Sequence, residues 1–244
     1  VHPYTIIKLD SVDSTNKWAK EAFAAKKILR NTVILAETQT DGRGQLQTKW
    51  HDQKGCNLLF TLVVEPKRLP VNQFFFLNQA VAIALLKAMP AHPEAYIKWP
   101  NDVLIKTKKV AGILIETVIG DHAIKRAYIG VGLNVNQKSF PPALRATSLQ
   151  IEHNTVFDLE EILFYVLSNI HSNLDVLLQP RLHNTYLRHL WAYHKTQEFA
   201  HKGNRFTGFV ETVLPTGELV VVNMKTHQSE KYQFKEIEWI FPSE

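Results

Sequence analysis

Four stretches of the chain bring cations, amides, aromatics and glycines close enough together to do chemistry. The first is Gln39-Thr40-Asp41-Gly42-Arg43-Gly44, leading to Lys49-Trp50. Glycines on either side of an arginine let backbone amides approach an anion closely. Arg43 offers a planar fork for paired hydrogen bonds to phosphate or carboxylate oxygens, and Trp50 offers a flat apolar face to a base or ring. A surface turn over a buried tryptophan would have the same composition, so this stretch does not stand alone. The second is Lys98-Trp99-Pro100-Asn101-Asp102. Pro100 disfavours ladder pairing and sets a turn between strands. That turn carries a cation, an aromatic and two polar groups, with Asp102 near any reacting atoms; a turn whose Asn and Asp cap their own backbone is the plainer reading.

The third stretch, Lys109 to Glu116, is apolar after its lysine and marks a buried strand with a cation at its mouth. Gly112 leaves room for a ligand against that strand. The plainer reading is an edge lysine in solvent. The fourth, Gly130-Val131-Gly132-Leu133-Asn134-Val135-Asn136, has GxG without the third glycine or the following helix of a dinucleotide fingerprint. Positions 130, 132 and 134 share one face of a strand, bare at two positions and carrying one amide; packing under a helix would need the same small residues.

Elements must position these residues. Tyr4 to Leu9 reads as a strand. Ser14-Thr15-Asn16 are N-cap types ahead of a helix from Lys17 to Ala25. Thr32 to Ala36 is a strand, and Glu37 to Trp50 a long polar loop of the functional kind. Asn57 to Val64 is a strand, and Asn72 to Met89 a buried helix stopped by Pro90. Ala95–Lys98, Val103–Ile105, Val110–Val118 and Ala127–Val135 follow as closely spaced strands, which favours a mixed or antiparallel sheet over βαβ units. Asp158 and Glu161 open an amphipathic helix that ends before Pro180, and Arg181 to Trp191 forms another. Beyond residue 196 come short strands at Phe206–Leu214, Glu218–Asn223, Glu230–Phe234 and Glu236–Ile240. They predict a small SH3-like barrel. The fold class expected is α+β, with residues 1–195 as a catalytic domain and 196–244 as the barrel.

Composition narrows the classes. The 244 residues are 45% hydrophobic and 21% charged with mixed signs, which excludes a disordered chain. The net charge of +5 fits an anion site, but no basic block or stripe marks a nucleic-acid surface. Cys56 is the one cysteine, so no internal disulfide forms, and a cytoplasmic setting fits. The histidines are scattered and no CxxC or HExxH spacing occurs. Phe74 to Met89 contains Asn78, Gln79 and Lys87, and reads as too short and polar to span a bilayer.

Taken in order and at these separations, the four stretches, with Ser14-Thr15-Asn16 and Gly55-Cys56-Asn57-Leu58, resemble the catalytic domain of the biotin–protein ligases. The resemblance runs from about Asp10 to Asn136, and more loosely through Ala146-Thr147-Ser148-Leu149 and the C-terminal strands. It implies a class II synthetase-like mixed, mostly antiparallel sheet with packed helices. It implies that Ser14, Thr15, Asn16, Gln39, Gly42, Gly44, Gln45 and Gly112 surround biotin. Arg43 and Lys109 would meet its carboxylate and the α-phosphate. Trp50, Asn57, Lys98, Asn101, Gly132 and Asn134 would surround ATP or the adenylate.

The implied reaction joins biotin to ATP as biotinyl-AMP, releasing pyrophosphate, then passes biotin to a lysine of a biotin carboxyl carrier domain, releasing AMP. Arg43, Lys109 and Asp102 are its implied catalytic residues, with Mg²⁺ bound mainly through phosphates. Relatives occur as monomers and as homodimers. The catalytic region begins by about residue 5, so neither a helix-turn-helix nor DNA binding is expected, and no membrane association either. One departure stands in the loop, where Gln47 and Thr48 replace the family's small residue and arginine. Lipoate or octanoate transfer on the same fold, and a biotin-binding protein without catalysis, are the competing readings. The arginine-rich, triple-glycine motif of the lipoate enzymes is absent.

Overall fold

In a computed structural model that describes residues 3–44 and 48–241, the chain forms two sheets and five α-helices among the described residues. The elements in order are β1 (Thr5–Leu9), α1 (Thr15–Ala24), β2 (Thr32–Ala36), β3 (Asn57–Val64), α2 (Phe75–Ala88), β4 (Ala95–Lys98), β5 (Asp102–Ile105), β6 (Lys108–Gly120), β7 (Ala123–Asn134), α3 (Leu149–His153), α4 (Leu159–Asp175) and α5 (Pro180–His189). Then come β8 (Gln197–His201), β9 (Asn204–Val213), β10 (Leu219–Asn223), β11 (Ser229–Tyr232) and β12 (Glu238–Ile240).

The larger sheet has the order β1-β2-β3-β7-β6-β5-β4. Only β1 and β2 run parallel, and α1 is the crossover such a pair requires. Every other neighbour is antiparallel, as the close spacing of the strands predicts. All eight residues of β3 are buried, because both faces of the sheet are covered. On one face Ala19 and Ala22 of α1 pack with Ile34, Val63 and Tyr128. On the other, α2, α4 and α5 close the main core around Phe60, Leu62, Leu77, Leu85 and Tyr186. The helical run Val71–Ala88 has a mean hydropathy of 1.2, high enough on composition alone for a bilayer-crossing segment. Composition therefore does not separate a membrane helix from a core helix here. Packing does, since α2 lies between the sheet and α4.

Several boundaries differ from the pattern reading, each for a physical reason. The first helix starts at Thr15, because Ser14 takes the N-cap position with extended backbone angles. Pro180 opens α5 as well as following α4, as a residue without N–H suits a helix's first turn. The β6–β7 hairpin turns on Asp121 and His122, both at positive φ, a primed turn that lacks its usual glycine. Two short elements, α3 and β8, carry no periodic signal of their own. Asp158 does cap α4, accepting from the N–H groups of Glu160 and Glu161.

The smaller sheet is antiparallel, in the order β11-β10-β9-β8-β12. It is fastened to the larger unit at a defined point. The indole of Trp99, buried, donates to the Gly217 carbonyl at 2.8 Å. Gly217 sits at φ +93°, and a Cβ there would lie 3.0 Å from the Phe75 ring. The turn between β9 and β10 is thus latched onto the Lys98–Asp102 turn.

His183 of α5 lies 3.2 Å from the Gln79 side-chain oxygen, which calls for a proton on Nδ1. Burial pushes its pKa below the ordinary 6.5. A depressed histidine contributes stability above its unfolded pKa and loses it as pH falls through the folded value. The expected result is a Tm difference between wild type and His183→Gln that is flat above about pH 7 and moves against wild type below about pH 6. Thermal melts across that range check it; a constant difference would refute it.

Candidate functional site

The site begins as a hollow in the larger sheet. Gly112 on β6 faces Gly132 on β7, and Leu114 faces Gly130. Each glycine leaves room for a neighbouring side chain. A Cβ at 132 would lie 2.6 Å from the Trp50 ring, and one at 130 would lie 2.6 Å from the Asn16 side-chain oxygen. A Cβ at 112 would meet Lys109 Cε at 2.9 Å and the Trp50 ring at 3.1 Å. Trp50 therefore lies in the hollow, with the Lys109 ammonium 5.5 Å from its ring centroid, within cation–π range.

Lys109 reaches this face through an irregularity in the ladder. Asp102 pairs with Gly112 and Val103 with Ala111, but Leu104 pairs with Lys109. Val110 is the extra residue of a β-bulge. Strict alternation puts positions 109 and 112 on opposite faces, and the bulge re-aims Lys109 to the side of Gly112 and Asp102. Its ammonium is then 2.6 Å from Asp102 Oδ1, while Lys98 lies 3.8 Å from Oδ2. Burial pushes the Lys98 pKa down and the Lys109 charge adds to that, while Asp102 opposes both. The turn carrying Asp102 is pinned to β6, with Asn101 Nδ2 donating to the Ile113 carbonyl at 2.8 Å.

The N-terminus of α1 and the glycine loop close the other side. The two described arms of the loop pair with each other: the Trp50 N–H donates to Gly42 O at 2.8 Å and the Gly44 N–H to Thr48 O at 2.7 Å. Gln39 Oε1 accepts from Thr15 N–H and hydroxyl, tying the loop's start to the helix's first turn. Ser14 holds the cap position without a capping hydrogen bond. The Asn16 amide is already engaged, donating to Glu116 at 2.8 Å and accepting from Thr61 at 2.6 Å. Arg43 pairs with Asp41 at 2.6 Å on an exposed rim.

Two cavities result. The smaller, about 40 Å³, is bordered by Ser14, Thr15, Asn16, Gln39, Arg43, Gly44, Lys109, Gly112 and Gly132. The larger, about 430 Å³, is bordered by Lys98, Asp102 and Asn134 together with Arg145, Lys235 and several aromatics. Trp50, Asn101 and Lys109 border both. Two buried polar atoms at this site lack any protein partner, Asn134 Oδ1 and Trp50 Nε1. An unpaired buried acceptor is costly, and a ligand donor would relieve it.

Most of the residues singled out in the sequence therefore converge, with corrections. Asn57 reaches neither cavity: its amide is spent on Gln137 at 2.7 Å and on the Val135 N–H at 3.1 Å. Gly132 floors the smaller cavity rather than the larger, because Trp50 lies over it. Gly42 lies behind the smaller cavity, against Gln39 and Trp50. Gln45 falls outside the described residues. The sequence reading missed Arg145, Lys235, Phe140, Phe234 and Phe241 at the larger cavity. A signal existed only for Arg145, which directly precedes Ala146-Thr147-Ser148-Leu149; the others arrive through long-range packing.

The profile of the biotin/lipoate A/B protein ligase family matches residues 9–134. The chain is 34% identical over 168 residues to the bifunctional ligase/repressor BirA of Bacillus spizizenii, covering 66% of this chain and 51% of that protein. It is 34% identical over 167 residues to the biotin–[acetyl-CoA-carboxylase] ligase of Paracoccus denitrificans, covering 64% and 67%. The biotin protein ligase from Aquifex aeolicus, solved in complex with biotin and ATP, superposes with a TM-score of 0.74 at 26% identity, over 96% of this chain and 97% of that one. The chain belongs to the biotin/lipoate A/B protein ligase family, and within it to the biotin–protein ligases. It spans about half the length of several curated relatives that it matches.

Gly132→Ala is expected to expel the Trp50 ring, because the new methyl would overlap it. Tryptophan emission should shift to the red, and the same substitution in a Trp50→Phe background should leave emission unmoved. Unaltered emission in the single variant would place the ring elsewhere.

Proposed function

We propose that the chain is an ATP-dependent biotin–protein ligase that forms biotinyl-AMP and transfers biotin to a lysine of a carrier domain. The observation that carries this reading is the meeting of the two cavities at Lys109, with Trp50 and Asn101 shared between them. Biotin belongs in the smaller cavity and the nucleotide in the larger, which has the size of a nucleotide site. The ring of Trp50 has to shift for biotin to enter, since the free volume beside it is about 40 Å³.

Bringing a carboxylate to a triphosphate opposes like charges, at a cost that grows as water leaves. Lys109 offsets this at the junction, and Arg43 adds a second cation once it turns inward from Asp41. The carboxylate attacks the α-phosphorus, the bond to the β-phosphate oxygen breaks, and pyrophosphate departs. Asp102 acts first by holding the Lys109 ammonium in place. When an anionic ligand draws Lys109 away, Asp102 Oδ1 is released to take the proton of the incoming lysine in the second step, in which the lysine nitrogen bonds to the biotinyl carbonyl carbon, the bond to the phosphate oxygen breaks and AMP leaves. Among the described residues no cluster of three acids, histidines or cysteines could hold a metal, and Asp102 is the larger cavity's only acid. In this reading Mg²⁺ would be carried mainly by the phosphates of the nucleotide substrate.

The same reading makes residues 1–195 the catalytic domain and the sheet of β8–β12 an SH3-like barrel that walls the larger cavity with Phe234, Lys235 and Phe241. The acceptor is a biotin carboxyl carrier domain. The assay mixes the full chain with ATP, Mg²⁺, labelled biotin and a carrier domain, and follows pyrophosphate and labelled carrier. Product with biotin and none with lipoate supports the proposal. Tight biotin binding without pyrophosphate would instead mark a binding protein. In the same assay Lys109→Ala is expected to slow adenylate formation by at least about 100-fold, as removal of a transition-state charge partner does. Near-wild-type rates would remove Lys109 from the mechanism.

A further inference from the structure

Asn16 borders the smaller cavity, but what it can offer a ligand is decided by Glu116 and Thr61, which border neither cavity. Asn16 Nδ2 donates to Glu116 Oε2 at 2.8 Å and to the Leu114 carbonyl at 3.3 Å. A carboxylate and a carbonyl can only accept, so the amide cannot be turned over without setting oxygen against oxygen. The Thr61 hydroxyl, fully buried on β3, lies 2.6 Å from Asn16 Oδ1 and donates to it. Both N–H groups are then spent, and the second lone pair of Oδ1 is what the side chain has left. That oxygen lies over Gly130, which also borders the smaller cavity. Glu116 holds this orientation while serving a second donor. Its Oε1 accepts from the Lys20 ammonium at 2.8 Å. Two donors thus converge on one side chain, a demand that a carboxylate meets and an amide of the same shape does not. In a Glu116→Gln variant the single oxygen goes to the cation, its NH2 faces Asn16 Nδ2, and the Asn16 amide turns over to bring its oxygen to the new donor.

The ladder sets how far this amide lies from the cation. Lys109 sits beside Gly112, which faces Gly132, whereas Asn16 lies over Gly130. Two residues along a strand is about 7 Å. A ligand whose carboxylate meets Lys109 therefore presents its other end to Asn16, and in biotin that end is a fused ring with two N–H groups and a carbonyl. We propose that Glu116 is a positioning residue that fixes Asn16 as an acceptor, so that this end of the smaller cavity takes a ligand N–H and rejects an oxygen in its place. The choice of biotin as ligand rests on the ligase reading above; the orientation of Asn16 rests on its own hydrogen bonds.

Calorimetry on the full chain compares biotin with its two cyclic carbamate analogues, each with one ring N–H replaced by oxygen. Wild type is expected to prefer biotin over at least one analogue by about 100-fold or more, since the ring oxygen would face Oδ1 with no proton between them. In Glu116→Gln that preference should fall at least about 10-fold, because the reversed Asn16 offers an N–H to the ring oxygen. Removing the competing cation should restore it. In Lys20→Ala/Glu116→Gln the glutamine oxygen is free to face Asn16, and the preference should return to within about threefold of wild type. Lys20→Ala alone should discriminate as wild type does. A merely structural role for Glu116 would weaken biotin and analogue alike and give no recovery in the double variant. No preference in wild type, an unchanged preference in Glu116→Gln, or a loss that the double variant does not reverse overturns the inference. If wild type binds no biotin, the ligase reading fails, and side-chain amide exchange followed by NMR decides this inference separately. The Asn16 Nδ2 protons, assigned by their loss in Asn16→Asp, should exchange slowly with water in wild type, at least about 10-fold faster in Glu116→Gln, and slowly again in the double variant. Equal exchange in all three overturns the inference.

Discussion

The missing side chains at Gly112 and Gly132, set opposite each other across the β6–β7 ladder, are the constraint from which the rest of the site follows. A sheet buried on both faces normally fills every position, and here two adjacent vacancies leave a recess one aromatic ring wide. Trp50 occupies it, and its backbone is returned to that point by the Gly42–Trp50 and Gly44–Thr48 hydrogen bonds. The third glycine, Gly130, makes the equivalent room for Asn16, whose amide joins α1 to Glu116 and Thr61. The hollow thus fixes both the loop and the helix that border the ligand space.

Charge is arranged around the same recess. Asp102 holds Lys109 at 2.6 Å with Lys98 behind it, and the side chains of Asp102 and Lys98 are largely withdrawn from water. In such a setting one carboxylate between two ammonium groups keeps both cations near the place where an anion must arrive, without neutralising them fully. In the proposed reaction an anionic ligand competes with Asp102 for Lys109 and releases the carboxylate as it does so.

The second sheet matters to this arrangement because it touches the Lys98–Asp102 turn directly. The Trp99 indole donates to Gly217 O, and Phe234 packs edge-on against the same indole. Phe234, Lys235 and Phe241 then form one wall of the larger cavity. A small sheet that looks like an appendage in the chain order is, in space, part of the nucleotide-sized cavity.

The sequence alone determined most of the elements. β2, β3 and β4 fall on their anticipated residues, and the close strand spacing already implied an antiparallel or mixed sheet. It also determined the chemistry available, because arginine beside glycine, lysine before a buried strand and alternating glycines are local facts. What local patterns cannot carry is which face a residue shows once a ladder slips. Alternation puts Lys109 opposite to Gly112, and only the bulge at Val110 turns it into the cavity. Asn57 borders neither cavity for the complementary reason: its partner Gln137 lies 80 residues away, and that long-range bond consumes the amide. Arg145 and Lys235 reach the cavity through the Lys109–Ala146 bridge and the packing of the two sheets, contacts between distant segments that no spacing in the chain encodes. Tertiary structure decided those placements, because hydrogen bonds and volumes must be satisfied across the whole core at once.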